Sequence, residues 1–409
     1  MDLEPAREDP DSDSSKDAAR RSDSELTNTT TTSIHTGIHW SDPEQPRPMS
    51  EVASESNQLA IRRRYECMPT RVPNVNAEME KWYAMADRYG FLEDGVSEVD
   101  PKQKEKEVER SEKWARMATH QVFHGEDVHS FVQDTKFINR VYKGIPDCWR
   151  RDAWYYLCSD GLQQAKNDDK LREAYTDLLS RPTSHERQID LDIPRTMHGH
   201  IMFRERYGSG QRALFNVLRA FANYDEDVGY CQGMTNVAAM LLMYCEEEKA
   251  FLILVHMFLR DQLHNLFVPG FPALMESFYI QDTLVQRYLP KLFRHLTEIG
   301  LTSDVYATRW YITLFTGGVI QYHTLLRIWD IYFLCGFDIF YFVSVVLLKS
   351  YQEQLLRGDL ETCMSVLGGT MSVPDDDKFI KAVRRLYERS VSGGTVKALR
   401  KQYQSRLLS

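Results

Sequence analysis

The chain is 409 residues long, 43% hydrophobic and 27% charged, with a formal net charge of −9. That length holds one large domain or two ordinary ones, with enough apolar content for a real core. The charge is uneven: residues 1–60 carry 13 acidic and 5 basic side chains, net −8, which leaves −1 on the other 349, and a neutral body with an acidic end argues against a nucleic-acid binder.

Residues 1–75 are rich in Ser, Thr, Asp, Glu and Pro, with TNTTTTS at 27–33 and SDPEQPRP at 41–48. Such a stretch buries too little apolar area to offset its ordering entropy, so a disordered acidic tail is expected there. Arg62-Arg63-Arg64 reads as part of a solvated linker. The start, Met-Asp-Leu-Glu, lacks the apolar run of a signal peptide, and the end, SRLLS, carries no lipidation signal.

From residue 76 the texture changes. EMEKWYAMADRYGFL (78–92) and EVERSEKWARMATH (107–120) space Trp, Met and Leu among charges and read as lead-in helices over 76–135. The main body is expected over 136–390. Leu214, Val217, Leu218 and Phe221 fall at i, i+3, i+4, i+7, as do Val237, Met240, Leu241 and Tyr244. Further helices are expected near 248–259, 280–298, 308–316, 322–334, 338–355 and 376–389, with a short tail at 391–409. Period-2 alternation closed by hairpin turns is nearly absent; Asp94-Gly95 and Asp160-Gly161 lie between helical patterns. The fold class is therefore all-α. The stretch IYFLCGFDIFYFVSVVLL (331–348) is apolar enough to suggest a membrane span, but Gly336 and Asp338 interrupt it, and a buried helix after a turn is the better reading.

Seven cysteines, at 67, 148, 158, 231, 245, 335 and 363, form no C-x-x-C pair. Neither a disulfide framework nor a zinc site is indicated, and reduced thiols are expected. His120 and His124 could share a helix face near Glu126, yet no third ligand is suggested. His198 and His200, two apart, would face different ways. No G-x-x-x-x-G-K-[ST] is present. Gly208-Ser209-Gly210 follows no strand and reads as a turn in which Ser209 caps the next helix.

Gly229-Tyr230-Cys231-Gln232-Gly233 has the G-x-C-x-G spacing of a nucleophile elbow. An elbow needs a buried strand before it. Here an amphipathic helix and the acidic loop 223–227 precede it, so Cys231 reads as a packed thiol. What remains are Asp192, Arg195 and Thr196 in IDLDIPRT, and Gln232, 37 residues after Arg195. Pro194 stands before Arg195, and Gly229 and Gly233 bracket Gln232; such positions project side chains from a helical scaffold. Taken alone, a surface Arg and a helix-capping Gln are the plainer reading.

The wording alters that balance. IDLDIPRT (189–196) and GYCQGM (229–234) resemble the two signature motifs of the TBC domain family, the GTPase-activating proteins of Rab GTPases. YKGIPDCWRRDAWYYL (142–157) is similar to the family's opening motif, LLRIWDIYF (325–333) to its R-x-W-D motif, and ATRWYITLF (307–315) to the segment before that. The resemblance covers about 140–385. DRYGFL (87–92) and FVPGFP (267–272) resemble the RN-tre-like branch. WRRDAW departs from the family's Leu-Arg-Gly, with bulkier Trp149 and Arg151 at a structural position.

The resemblance implies a multi-helix TBC-type domain with Arg195 as an arginine finger and Gln232 as a glutamine finger, supplied in trans to a GTP-bound Rab. Asp192, Thr196, Tyr230 and Gly233 would support them. It implies no cofactor of the chain's own, GTP and Mg²⁺ being carried by the partner GTPase, no nucleic-acid partner, and a cytoplasmic protein reaching endomembranes only through partners. Two other readings stay open on the residues: an inactive Rab-binding scaffold, and a hydrolase using Cys231.

Overall fold

A computed structural model describes residues 50–67, 86–92, 101–123, 125–261 and 263–407. The body is helical, as its 3.6-residue periodicity requires. In helix Ser209–Tyr224, Leu214, Val217, Leu218 and Phe221 are all buried. They pack it against helices Asp168–Ser180, Met234–Leu242 and Glu247–Asp261. In the second half, helix Pro272–Tyr288 lies against Pro290–Glu298 and Ile339–Ser350, and the last of these lies against Asp376–Gly393.

Helix Tyr322–Cys335 joins the halves, touching Thr135–Tyr142 and Asp147–Cys158 on one side and Ile339–Ser350 on the other. Its buried Asp330 explains why two distant motifs meet. The carboxylate accepts from the Ile145 N–H at 2.8 Å, Arg150 Nε at 3.1 Å and Trp154 Nε1 at 3.0 Å. Burial pushes the Asp330 carboxyl up, and Arg150 foremost opposes that. A buried charge is tolerated only when paired and hydrogen-bonded. Arg327, on the same helix, donates to the Tyr142 carbonyl at 2.9 Å and lies over Gly144. There a Cβ would come within 2.8 Å of Arg327 Cδ, at a φ of +96°.

The apolar stretch 331–348 is two helices: the first ends at Cys335, Gly336 turns the chain at φ +78°, and Ile339–Ser350 follows, buried along most of its length. Among the described residues no helix is long and apolar enough to cross a membrane. Trp149, at the departure from Leu-Arg-Gly, donates Nε1 to Ser111 Oγ at 3.2 Å and packs edge-on against His129. The bulkier residue thus props the preceding segment against the body.

Several local expectations change. Helix Ser50–Cys67 lies within the stretch read as a disordered tail; residues 1–49 and 68–75 lie outside the described ones. Among its described side chains Ile61 and Tyr65 are the buried apolar ones, too few for a composition average to register. Tyr65 stacks on Phe215 with centroids 4.1 Å apart and donates to Asp190 at 2.8 Å. Arg62, assigned to a solvated linker, pairs with buried Glu186 at 2.6 Å. Of the helix expected at 78–92, residues 86–92 form a tight turn instead. Asp87 accepts from the N–H groups of Tyr89 and Phe91, both at 2.8 Å, and Gly90 takes φ +91°. Aspartate competing for backbone donors and glycine at positive φ are turn chemistry, not helix chemistry.

The second lead-in helix is Pro101–Ala115 and stops before Thr119. Thr119–Phe123 and Glu126–Ser130 form an antiparallel hairpin, an exception to the all-helical expectation. Gly125, at φ +78°, makes the turn. Of the tail expected at 391–409, residues 391–407 are folded onto the body, and 408–409 lie outside the described residues. Asp376 starts a helix that runs to Gly393, and Thr395–Leu407 folds back with Val396 and Leu399 buried. Arg400 anchors it to Glu276 at 3.0 Å and to Asp338. The helices expected at 280–298 and 338–355 are each broken in two, at Leu289-Pro290 and at Tyr351. Ser209 does not cap its helix: Gly208 holds the cap position and Ser209 is the first helical residue.

Candidate functional site

Arg195 closes a short 3₁₀ turn, Ile193–Arg195, which continues helix Glu186–Asp192. Pro194 fixes φ there and removes a donor, so the α-helix cannot run on. The Arg195 side chain is 58% exposed while that of Asp192 is 2% exposed. The Asp192 carboxylate accepts from Arg195 Nη2 and from Gln188 Nε2 at 3.2 Å. Thr196, itself buried, donates its hydroxyl to the Asp192 carbonyl at 2.9 Å.

Gln232 sits in the turn between helices Ser209–Tyr224 and Met234–Leu242 and is exposed. Glycines shape that turn. Gly229 adopts φ +57° with the His185 ring directly over its α-carbon, and Gly233 adopts φ +106°. A Cβ on Gly233 would stand 2.7 Å from Ile312 Cγ2. Gly233, not Gln232, occupies the cap of the following helix.

Tyr230 ties the two loops. Its hydroxyl donates to the second oxygen of Asp192, 38 residues away. Burial, and then the neighbouring Asp192 charge, hold the Tyr230 phenol well above its usual range, so it stays a donor. One buried carboxylate therefore holds an exposed guanidinium on one oxygen and the neighbour of an exposed glutamine on the other. Both side chains stand out from the surface on rigid turns. Such an arrangement suits a group inserted into another molecule's site better than one enclosing a small substrate.

Behind Arg195 lies a layer that periodicity could not reveal. Asp190 accepts from Tyr65 and from Arg206 at 2.5 Å, and Glu186 from Arg62. Helix Glu186–Asp192 is thus braced by the N-terminal helix. Its own apolar side chain Leu191 remains 58% exposed beside Arg195.

Cys231 is half-buried, and burial pushes its thiol up to about 12. A nucleophilic cysteine needs the opposite shift and a cationic neighbour, so the elbow reading does not hold. The histidine pairs do not gather a metal. His120 lies on the first hairpin strand, with Nε2 2.9 Å from Asp127, not on a helix; His124 lies outside the described residues. His200 accepts from the Met202 N–H at Nδ1, so Nε2 donates to the Tyr89 carbonyl at 2.9 Å. His198 is exposed and His200 buried, as their two-residue spacing implies. Among the described residues no cluster of three His, Cys, Asp or Glu could hold a metal ion.

Residues 147–356 match the Rab-GTPase-TBC domain family. The chain is 37% identical over 302 residues to a TBC domain-containing protein of Schizosaccharomyces pombe, covering 72% of this chain and 71% of that one. It is 35% identical over 226 residues to the Caenorhabditis elegans Rab GTPase-activating protein tbc-11, covering 55% of this chain and 24% of that one. The human Ecotropic viral integration site 5 protein homolog is 31% identical over 263 residues, 64% of this chain and 32% of that protein. Both of these relatives are far longer than the matched region. Among solved structures, the Ypt/Rab-GAP domain of Gyp1p superposes with a TM-score of 0.59 at 19% identity, over 69% of this chain and 98% of that one. A Chlamydomonas flagellar RabGAP TBC domain gives 0.58 at 23%, over 73% and 98%. At those identities the two structures speak for the fold.

Proposed function

The chain belongs to the Rab-GTPase-TBC domain family, and from that premise we propose that it accelerates GTP hydrolysis on a GTP-bound Rab-family GTPase, with Arg195 and Gln232 supplied in trans. Phosphoryl transfer demands positioning and charge stabilisation more than covalent chemistry. The GTPase brings GTP and Mg²⁺. It lacks a cation over the charge that develops on the transferring phosphoryl group, and a firmly held water.

The observation that carries this reading is the shared carboxylate of Asp192. It holds the exposed Arg195 guanidinium from behind, and a planar, always-charged fork held at one end can bond phosphate oxygens at the other. Through Tyr230 the same carboxylate fixes the turn bearing Gln232. A glutamine amide both accepts and donates, so it can orient the attacking water while bonding a backbone group of the partner. In this role the chain acts in the cytoplasm and at endomembranes, limiting the lifetime of the GTP-bound state in vesicle traffic.

The test is single-turnover GTP hydrolysis by a panel of purified Rabs with and without this chain. Acceleration of at least one Rab that is lost in Arg195→Ala supports the proposal. GTP-dependent binding with no acceleration of any Rab leaves an inactive scaffold instead.

A further inference from the structure

Although residues 61–409 are close to neutral overall, one face of the body concentrates positive charge. A cleft of about 730 Å³ opens between helices Pro101–Ala115, Thr135–Tyr142 and Asp376–Gly393. Seven of its lining side chains are basic and two, Glu109 and Asp377, are acidic. None of the lining residues belongs to the loops of Arg195 and Gln232.

The cations are held in different ways. Arg384 is fixed: it lies over the Tyr142 ring at 4.2 Å, donates Nη1 to Asn139 Oδ1 at 2.8 Å and pairs through Nε with Glu388 at 2.6 Å, which leaves Nη2 toward the cleft. Arg140 donates to the Lys113 carbonyl at 2.5 Å. Lys143 and Lys381 are exposed and make no ion pair among the described residues. Fixed guanidiniums on the wall and unneutralised ammoniums at the mouth make a receptor for a compact, multiply charged anion.

The cleft also continues outward. Lys381, Arg384, Arg385, Glu388 and Arg389 fall at i, i+3, i+4, i+7, i+8 on helix Asp376–Gly393 and line a second, shallower depression that shares Lys381 and Arg384 with the first. The opposite face, with Phe379 and Val383, is buried. Just beyond the stripe, Val391 is 61% exposed. A deep cationic cleft inside a shallow cationic rim with an exposed apolar side chain fits a headgroup standing in an anionic sheet better than a free anion. The rim would face the surrounding surface, where each Lys or Arg adds attraction that decays within a Debye length.

We propose that this cleft binds the multiply phosphorylated headgroup of a membrane lipid, seating the domain on an anionic bilayer. The cleft volume suits a small polar ligand. The site is separate from the GTPase-activating loops, so its occupancy and their activity are independently measurable.

The experiment is flotation of the full chain with vesicles of phosphatidylcholine alone, with phosphatidylserine, and with phosphatidylinositol bisphosphate, the last two at matched surface charge. The variants are Lys143→Glu/Lys381→Glu and, as a charge-reversal control elsewhere, Lys291→Glu. Wild type and Lys291→Glu should float with the bisphosphate vesicles, and the double variant should bind about tenfold more weakly or worse. Its melting temperature and its acceleration of a soluble Rab should be unchanged. Soluble inositol hexakisphosphate should release wild type from the vesicles. Equal flotation on phosphatidylserine at matched charge, equal loss in Lys291→Glu, or binding of the soluble inositol phosphate without vesicle binding would each overturn the proposal. So would a double variant that floats like wild type.

Discussion

Tyr230 donates its phenolic hydroxyl to Asp192 across 38 residues of chain, and Arg195 and Gln232 each stand within three residues of one of those two partners. The relationship makes the two exposed side chains one unit. Tyr230→Phe leaves a buried carboxylate oxygen short of a donor, which costs about 1–3 kcal/mol. If these side chains act at the partner's phosphate, as proposed above, their misplacement is expensive and activation should fall by about tenfold to a hundredfold. Affinity for the GTP-bound GTPase should hardly move. Wild-type rates in this variant, measured in single turnover, would dissolve the unit.

The two side chains are separable by the partner used. Arg195→Lys keeps the charge and loses the planar two-pronged contact, and activation should fall about 10³-fold or more. Gln232→Ala should cost most of the activity with the fold intact. A Rab whose own switch glutamine is replaced by Leu should still respond to the wild-type chain if, as proposed, Gln232 takes over the water. Complete resistance of that Rab, on a GTPase that is otherwise a good substrate, would leave Arg195 acting alone.

Cys231 should behave as packing. With its thiol pushed up to about 12 by burial, only about one molecule in ten thousand carries the thiolate at pH 8. Alkylation followed by peptide mass spectrometry should find the exposed Cys67 and Cys148 modified first. Cys231 labelling should rise only as pH climbs toward the shifted value. Cys231→Ser should keep GTPase activation; its loss alongside rapid Cys231 labelling would restore the nucleophile.

Removing the first 75 residues should harm the body. It deletes Tyr65 from Phe215 and Asp190, and leaves Glu186, whose side chain is fully buried, without Arg62. An unpaired buried charge costs about 3–5 kcal/mol. A chain starting near Asn76 should therefore melt several degrees lower and activate less well, since the affected helix carries Arg195. A chain starting at Ser50 should match the full length in both. Equal melting of all three would show the brace to be idle.

Acid should loosen the hairpin first. The Arg172 guanidinium holds the Glu126 carboxyl down at about 2, with Lys249 3.1 Å away adding to it. Its folded value is depressed, so its contribution is present above the ordinary carboxylate range near 4.5 and is lost as pH falls from there toward 2. Glu126→Gln should flatten the acid limb over that window in denaturant melts by lowering stability at pH 7, with little difference from the unsubstituted chain near pH 2. An unaltered acid limb would place the acid-sensitive contact elsewhere.

The helical body was legible because its apolar positions repeat every three to four residues; Leu214, Val217, Leu218 and Phe221 announce the buried face by themselves. The two turns that carry Arg195 and Gln232 were legible from Pro194, Gly229 and Gly233, whose backbone demands are written in the residue type. What stayed hidden depends on partners distant in sequence. Ile61 and Tyr65 look like two apolar residues in a polar run until Phe215 is brought against them. Thr119–Phe123 pairs with a strand whose alternation is only five residues long. The cleft at Lys143 and Lys381 joins residues from three helices, and no spacing along one of them foretells it.

Asp330 also sets an order of events in synthesis. Its donors Ile145, Arg150 and Trp154 leave the ribosome 176 to 185 residues before it does. Until then, among the described residues, Arg150 has the partly exposed Asp147 as its counter-charge, and the fully buried one, Asp330, has not yet been made. The first half of the domain can coil into helices, but burying that cation fully waits for Asp330. Such a nascent chain exposes apolar surface through more than a third of its own elongation, the interval in which chaperones engage large domains. Stalling translation just before Asp330 should yield a protease-sensitive, aggregation-prone product, and stalling well after it a compact one.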